Sequence, residues 1–293
     1  MSSSSAGSLF RTSSSYRRRK IVNRLVTILA YACTALAIVP LTWIILYVIY
    51  RGFGAWDAQF FTELPQLFGD GGGVRNGIVG TLVIVGLATL IGVPVGVMAG
   101  IYLAEYGNNR LGSIVRFMAD TLTGVPSIVV GLFAFGVVVL NTGGFSAFAG
   151  AVALAIMMVP VITRTTEEII RLVPNSIREA SLGLGVSRWK TIMRVVVPTA
   201  LSGIVTGVLL AVARVAGETA PLILTILGTN FPVSPDIFNG PYTTLSLQIY
   251  QLGGQPSPQV VEVAWGAALL LVLMVLGISI AARVIFKGQD VRG

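Results

Sequence analysis

Pro174-Asn-Ser-Ile-Arg-Glu-Ala-Ser-Leu-Gly-Leu-Gly-Val-Ser-Arg-Trp-Lys-Thr-Ile-Met-Arg-Val-Val-Val-Pro198 is a polar interruption between two strongly apolar blocks. It holds Arg178, Arg188, Lys190 and Arg194. Basic connections between membrane spans stay on the cytoplasmic side, so the stretch is expected there. Ser176 and Glu179 have the S-x-x-E spacing of a capping box, in which each side chain satisfies a backbone N–H of the other's residue. This predicts a short helix starting near Ser176. Gly183 and Gly185 are expected to end it after roughly two turns, because glycine reaches the left-handed conformation that closes a helix at little cost. Ser187 is then placed to cap a second short helix through Arg194, with Pro198 in the first turn of the next apolar helix. The expectation is two short helices and a sharp bend, held into the cytoplasm by the flanking spans.

Composition supports the membrane reading. The 293 residues are 54% hydrophobic and only 11% charged, with mean hydropathy +0.84, whereas a soluble domain is about a quarter charged. Of the 20 basic residues, six lie at or before the start of the first apolar block (Arg11, Arg17, Arg18, Arg19, Lys20, Arg24), six lie from Arg164 to Arg194, and three lie at the end. That clustering fits positive-inside topology rather than nucleic-acid binding. The lone Cys33 excludes an intrachain disulfide. Without histidine there is no imidazole chemistry, and the twelve carboxylates form no metal-ligand or nucleophile pattern. No catalytic site, cofactor site or metal site of the chain's own is expected.

Taken in order, residues 1–20 are Ser-rich, then basic, and are expected to be a disordered cytoplasmic tail. A first span follows over Leu25–Tyr50, and a second over about Val74–Leu103 carries Gly92, Gly96 and Gly100 at a spacing that lets another helix approach closely. Glu105–Asp120 reads as a polar cytoplasmic connection. A third span over Thr121–Leu140 contains Pro126 between glycines, which suggests a bent helix lining a cavity. A fourth covers about Phe145–Thr163, and a fifth runs from Pro198 to about Ile226 with Gly203 and Gly207 as a second close-packing face. Residues 228–259 read as an outer loop, and a sixth span covers Val260–Phe286. The fold class is therefore an all-α polytopic membrane protein of six transmembrane helices with both termini cytoplasmic. Its permease domain covers 21–287, including the polar loop 164–198, and a short tail follows at 288–293.

Two charges stand where a membrane makes them costly. Arg214 and Glu218 are four residues apart in the fifth apolar block, hence on one face of a helix. A mid-membrane arginine costs at least about 2.5–3.5 kcal/mol, so it faces protein or water. Arg214 could offer forked donors to an anion in transit while Glu218 holds it and limits retention; equally, the two could form a structural ion pair. Arg164, followed by Glu167 and Glu168, poses the same choice, with snorkelling to the interface as its simpler reading.

The polar stretch resembles the signature of ABC importer permeases, EAA-x3-G-x9-I-x-L-P, through Glu179-Ala180-Ser181, Gly185 and Val195-x-Val197-Pro198. It departs from that pattern at Ser181, Val195 and Val197. The resemblance implies a type I importer permease fold, in which Glu179, Ala180, Ser181, Gly185 and Pro198 belong to a coupling helix that docks on an ATP-hydrolysing subunit. Gly124-Val-Pro-Ser-Ile-Val-Val-Gly-Leu-Phe133, Ala213-Arg-Val-Ala-Gly-Glu-Thr-Ala-Pro221 and Thr243-Thr-Leu-Ser-Leu-Gln-Ile-Tyr250 further resemble the A-type permeases of Pst phosphate importers, over nearly the whole chain after residue 20. That resemblance implies inorganic phosphate as cargo, with Arg164, Arg214 and Glu218 on its path. It also implies a PstC-type permease, two PstB-type ATPase subunits and a PstS-type binding protein as partners, and the bacterial inner membrane as location. ATP-Mg would belong to the ATPase, since the chain has no GxxxxGK[ST] loop. Sulfate or molybdate as cargo, or an autonomous ion-coupled carrier, are the competing expectations.

Overall fold

In the computed structural model, which describes residues 14–66 and 72–287, the chain divides into residues 1–50 and 51–293. Helix α1 (Ser14–Gly54) makes up the described part of the first unit and runs four residues into the second; it exposes every side chain from 16 to 47. The basic run Arg17–Lys20, expected in an unstructured tail, is therefore helical. The remaining tail residues, 1–13 and 288–293, lie outside the described residues.

The second unit continues with α2 (Ala58–Thr62), α3 (Arg75–Glu105), α4 (Arg110–Gly124) and α5 (Ser127–Thr142). After these come α6 (Ala147–Arg171), α7 (Asn175–Gly183), α8 (Arg188–Ala216), α9 (Ala220–Thr225), α10 (Leu245–Gly253) and α11 (Pro258–Lys287). Helices α1, α3, α6, α8 and α11 are each long and apolar enough to cross a membrane. The pair α4–α5 passes the same test with a 107° bend. Among the described residues, six spans result when that pair counts as one.

The bundle is built around α6, whose Leu154, Met158 and Ile162 are fully buried. Close approach to α3 depends on the glycine ladder. A Cβ on Gly96 would sit 2.8 Å from the Ile162 side chain, and one on Gly100 2.5 Å from Thr166 Cβ. Between membrane helices, van der Waals contact and not water exclusion drives association, so small residues are placed where backbones meet. Overpacking such a contact costs about 1–3 kcal/mol. On another side of α6, Gly203 and Gly207 of α8 lie against Ile169 and Thr165, as their spacing suggests.

Proline explains three of the departures from the sequence-based boundaries. Pro198 does not open a new helix: Arg188–Ala216 is continuous, with a π-helical stretch at Ile192–Val196 immediately before it. The proline ring clashes with the carbonyl four residues back, and a widened turn relieves that clash without ending the helix. Pro221 acts more severely, because its clash falls on Gly217. Helix α8 stops at Ala216 and α9 restarts at Ala220, so the expected unbroken fifth span to Ile226 is cut. Pro126 cuts α4 from α5 in the same way, with Val125 extended before it.

Three further boundaries differ. The supposed polar connection 105–120 holds most of α4, an amphipathic helix capped by Asn109, whose side chain accepts from Gly112 N at 2.8 Å. The supposed outer loop contains α10, capped by Thr244. The fourth span runs on to Arg171, which puts Arg164 and Glu167 inside α6.

Candidate functional site, a clamped bend and a pair of helix breaks

The bend at 174–187 forms without its expected capping box. Pro174 occupies the N-cap position and no side chain caps α7. Ser176 thus falls inside the first turn, where its hydroxyl cannot reach the orphan N–H groups. Nor does the Ser187 side chain cap the helix it precedes. The far end of α7 follows expectation, since the helix ends at Gly183 and Gly185 takes φ +79° with open space around it. Glu179 and Ala180 are exposed, as is Pro198. Ser181 is not: it is buried, and its hydroxyl lies 2.8 Å from that of Thr191, tying α7 to the start of α8. The residues most available to a partner are ones the sequence did not single out, Leu184 at 84% and Trp189 at 62% exposed. A leucine between two glycines in an otherwise polar bend was the signal.

Arginines fasten this bend to the bundle. Arg178 makes two bonds to Glu105 Oε1 at 2.8 and 3.0 Å and a third to the Ile170 carbonyl at 2.9 Å. Glu105 is nearly buried, at the C-terminal end of α3. Arg188 donates to the Glu105 carbonyl and stands over the Tyr106 ring at 4.7 Å.

Nearby, Glu167 is only 1% exposed and accepts from three guanidiniums. Arg116 and Arg171 reach Oε1 at 2.7 and 2.6 Å, and Arg164 reaches Oε2 at 2.9 Å. Arg164 also bonds Asp120 at 2.9 Å. It is thus partly buried and ion-paired rather than snorkelling freely. A buried carboxylate is tolerated only with such partners, and stripping one side of a buried pair costs about 3–5 kcal/mol. Sequence reading flags Arg164 and Glu167 but misses Arg116 and Asp120, because the helix that carries them reads as a polar connection.

The second feature lies where α8 breaks. Arg214 is in the last turn of α8 and Glu218 is beyond its end, so they do not share a helix face. Among the described residues neither side chain forms an ion pair within 4.0 Å, and Arg214 is exposed. The expected Arg214–Glu218 pairing is therefore corrected, and Gly217 with Pro221 is the cause.

Around this break the separate motif segments meet. Gly131 of α5 packs so closely on α9 that a Cβ would lie 2.6 Å from Pro221 Cα. Ser246 of α10 donates to the Glu218 carbonyl at 2.9 Å, and Leu245 N donates to Thr81 Oγ1 of α3 at 2.9 Å. Two interrupted spans are thus braced against each other and against α10. Interrupted backbone at membrane depth belongs where it lines a cavity or is covered by protein. No cluster of three or more metal-ligating side chains occurs among the described residues.

The helix order and broken spans define an ABC importer permease fold. A methionine ABC transporter structure, MetNI in an inward-facing conformation, superimposes at TM-score 0.62 with 20% identity, covering 73% of this chain and 94% of that one. A bacterial ABC transporter involved in import of the acidic polysaccharide alginate superimposes at TM-score 0.63 with 15% identity, covering 92% and 98%. Residues 92–292 match the model of the binding-protein-dependent transport system inner membrane component, and the chain belongs to that family. It is 43% identical over 275 residues to the phosphate transport system permease protein PstA 1 of Mycobacterium tuberculosis, covering 92% of this chain and 90% of the relative. It is also 40% identical to the PstA protein of Pasteurella multocida, covering 93% and 97%. The chain is thus a multi-pass membrane permease component of the ABC importer class.

Proposed function

We propose that the chain is the A-type permease of an ATP-driven importer of inorganic phosphate in the bacterial inner membrane. It forms half of the translocation pathway together with a PstC-type permease. Two PstB-type ATPases bind the cytoplasmic face of the complex, one of them docking on the 176–198 stretch of this chain, and a PstS-type protein delivers phosphate at the opposite face. Both termini are cytoplasmic, and ATP-Mg is bound by the ATPases alone.

The observation that carries this reading is the exposed Arg214 guanidinium, without an ion pair among the described residues, at a helix break braced by the three motif segments. A fixed positive charge at membrane depth with donors still unused is suited to an oxyanion in transit. Glu218, close by in the chain, limits how long the anion stays. The bend supplies the drive: closing of the ATPase dimer moves α7, and the arginine clamps on Glu105 pass the motion to α3. Such a switch needs a ligand that distinguishes two states by several kcal/mol, which nucleotide binding provides.

Uptake of labelled phosphate and labelled sulfate in cells with and without the gene tests the cargo. Phosphate uptake is expected to fall in the deletion while sulfate uptake stays unchanged. Unchanged phosphate uptake would refute the proposal. Transport by this polypeptide alone in liposomes, driven by an ion gradient, would refute its dependence on an ATPase.

A further inference from the structure

Arg116 has no place in the motifs above, yet it stands between the Arg164–Glu167 cluster and the end of α3 that the bend grips. It lies in α4, largely buried, and its guanidinium bonds both α6 and the end of α3. Nε donates to Glu167 Oε1 of α6 at 2.7 Å, Nη2 to the Leu103 carbonyl at 2.9 Å, and Nη1 to the Gly107 carbonyl at 3.1 Å. Leu103 and Gly107 flank Glu105, the residue that Arg178 of the bend helix grips from the other side. The C-terminal end of α3 is thus held between an arginine from the bend and an arginine from α4. The latter in turn holds the carboxylate that restrains Arg164.

We infer that Arg116 is a positioning residue: it sets the reach of Arg164 toward the transported anion and links that reach to movement of the bend. The inference rests on the reading of Arg164 as a pathway residue and of 174–187 as the ATPase dock. Its logic is an allocation of lone pairs. Glu167 has two oxygens for three guanidiniums, with Oε1 shared by Arg116 and Arg171 and Oε2 taken by Arg164. While Arg116 holds Oε1, Arg164 is restrained through one nitrogen only and keeps its Nε on the exposed Asp120. Without Arg116, Oε1 keeps Arg171 alone, and its freed lone pair lets Arg164 grip Glu167 with both forks, the favoured bidentate geometry. The guanidinium is then withdrawn from the anion, and the end of α3 loses its guanidinium link to Glu167 of α6.

Two consequences separate cleanly. The Glu167 pairing governs apparent affinity for phosphate, whereas the tie to the Leu103 and Gly107 carbonyls governs how much phosphate moves per ATP. Lysine at 116 can neutralise Glu167 but, as a point charge, cannot also span the two carbonyls.

The test uses the whole complex with its partner permease, ATPases and binding protein in proteoliposomes, reading phosphate KM, ATP hydrolysis and phosphate moved per ATP. Arg116→Gln is expected to raise the KM about tenfold, the effect of one displaced ionic contact, and to lower phosphate per ATP, with hydrolysis retained. Arg116→Lys is expected to recover the KM but not the ratio. The double variant R116Q/E167Q is expected to recover the KM as well, since the Glu167 carboxylate that withdraws Arg164 is then gone. Wild-type KM and ratio in R116Q would overturn the inference, as would losses that merely track the amount of assembled complex. If R116Q does not assemble, R116K and R116Q/E167Q carry the comparison, and failure of either to show its KM recovery overturns it. Arg164→Gln, run in parallel, keeps the two levels apart. Normal uptake in R164Q would refute the underlying reading, whereas a dead R164Q beside a normal R116Q refutes the role of Arg116 alone.

Discussion

Replacing Arg214 with glutamine is expected to cut phosphate uptake sharply while the complex still assembles and hydrolyses ATP. The side chain is exposed, and among the described residues it holds no ion pair that its loss would break. Folding of this chain should therefore be little affected. On the proposed pathway role, what is removed is a charge-assisted contact to the anion, worth about 1.5–3 kcal/mol, or roughly ten- to a hundredfold in uptake. A structural ion pair would behave in the opposite way, with lower yield of complex and normal transport by whatever assembled. Uptake of labelled phosphate, normalised to the complex recovered from the membrane, distinguishes the two. Normal uptake in R214Q would contradict the pathway role.

The second large effect is expected at Gly185. Nothing lies within 4 Å of where its Cβ would be, so a larger side chain meets no clash. The strain comes from its φ of +79°, a left-handed conformation that costs an L-residue about 1–2 kcal/mol and a β-branched one more. Gly185→Val should therefore leave the spans intact but relax the bend, turning Leu184 and Trp189 away from their docking position. Uptake is expected to fall severalfold further than ATP hydrolysis. Gly183→Ala is the control, because Gly183 also has open space but keeps a negative φ. Full coupling in G185V would mean that the shape of the bend is not what the ATPase reads.

Much of this was legible because the relevant signals are local. Apolar runs locate the spans, and four-residue glycine spacing locates the α3–α6 and α8–α6 contacts. Gly185 marks the turn through its own backbone freedom. Part of what escaped depends on residues distant in sequence, and part on a nearby proline that shifts a helix boundary. Helix α4 reads as a loop because Arg110, Arg116 and Asp120 break up its apolar sequence, and the partners of Arg116 and Asp120 stand on α3 and α6, far away in the chain. The Arg214–Glu218 spacing is right for a helix, but the rule fails once Pro221 interrupts the turn at Gly217. The capping box fails for a similar reason, since Pro174 shifts the helix start. Ser181 fits its motif by size, but nothing in the sequence shows that its hydroxyl turns inward to Thr191.

The most direct test of an ATP-driven permease is a crosslink from the bend. Leu182 is exposed in α7 and the native Cys33 is exposed on α1. Leu182→Cys is therefore introduced into a Cys33→Ser chain, and the assembled complex is treated with a short thiol crosslinker against cysteines placed across the ATPase surface. A crosslink to the ATPase whose yield changes between nucleotide-free and ATP-bound states is the expected result. No crosslink to any ATPase position, or labelling of the introduced thiol only from outside the cell, would contradict the account.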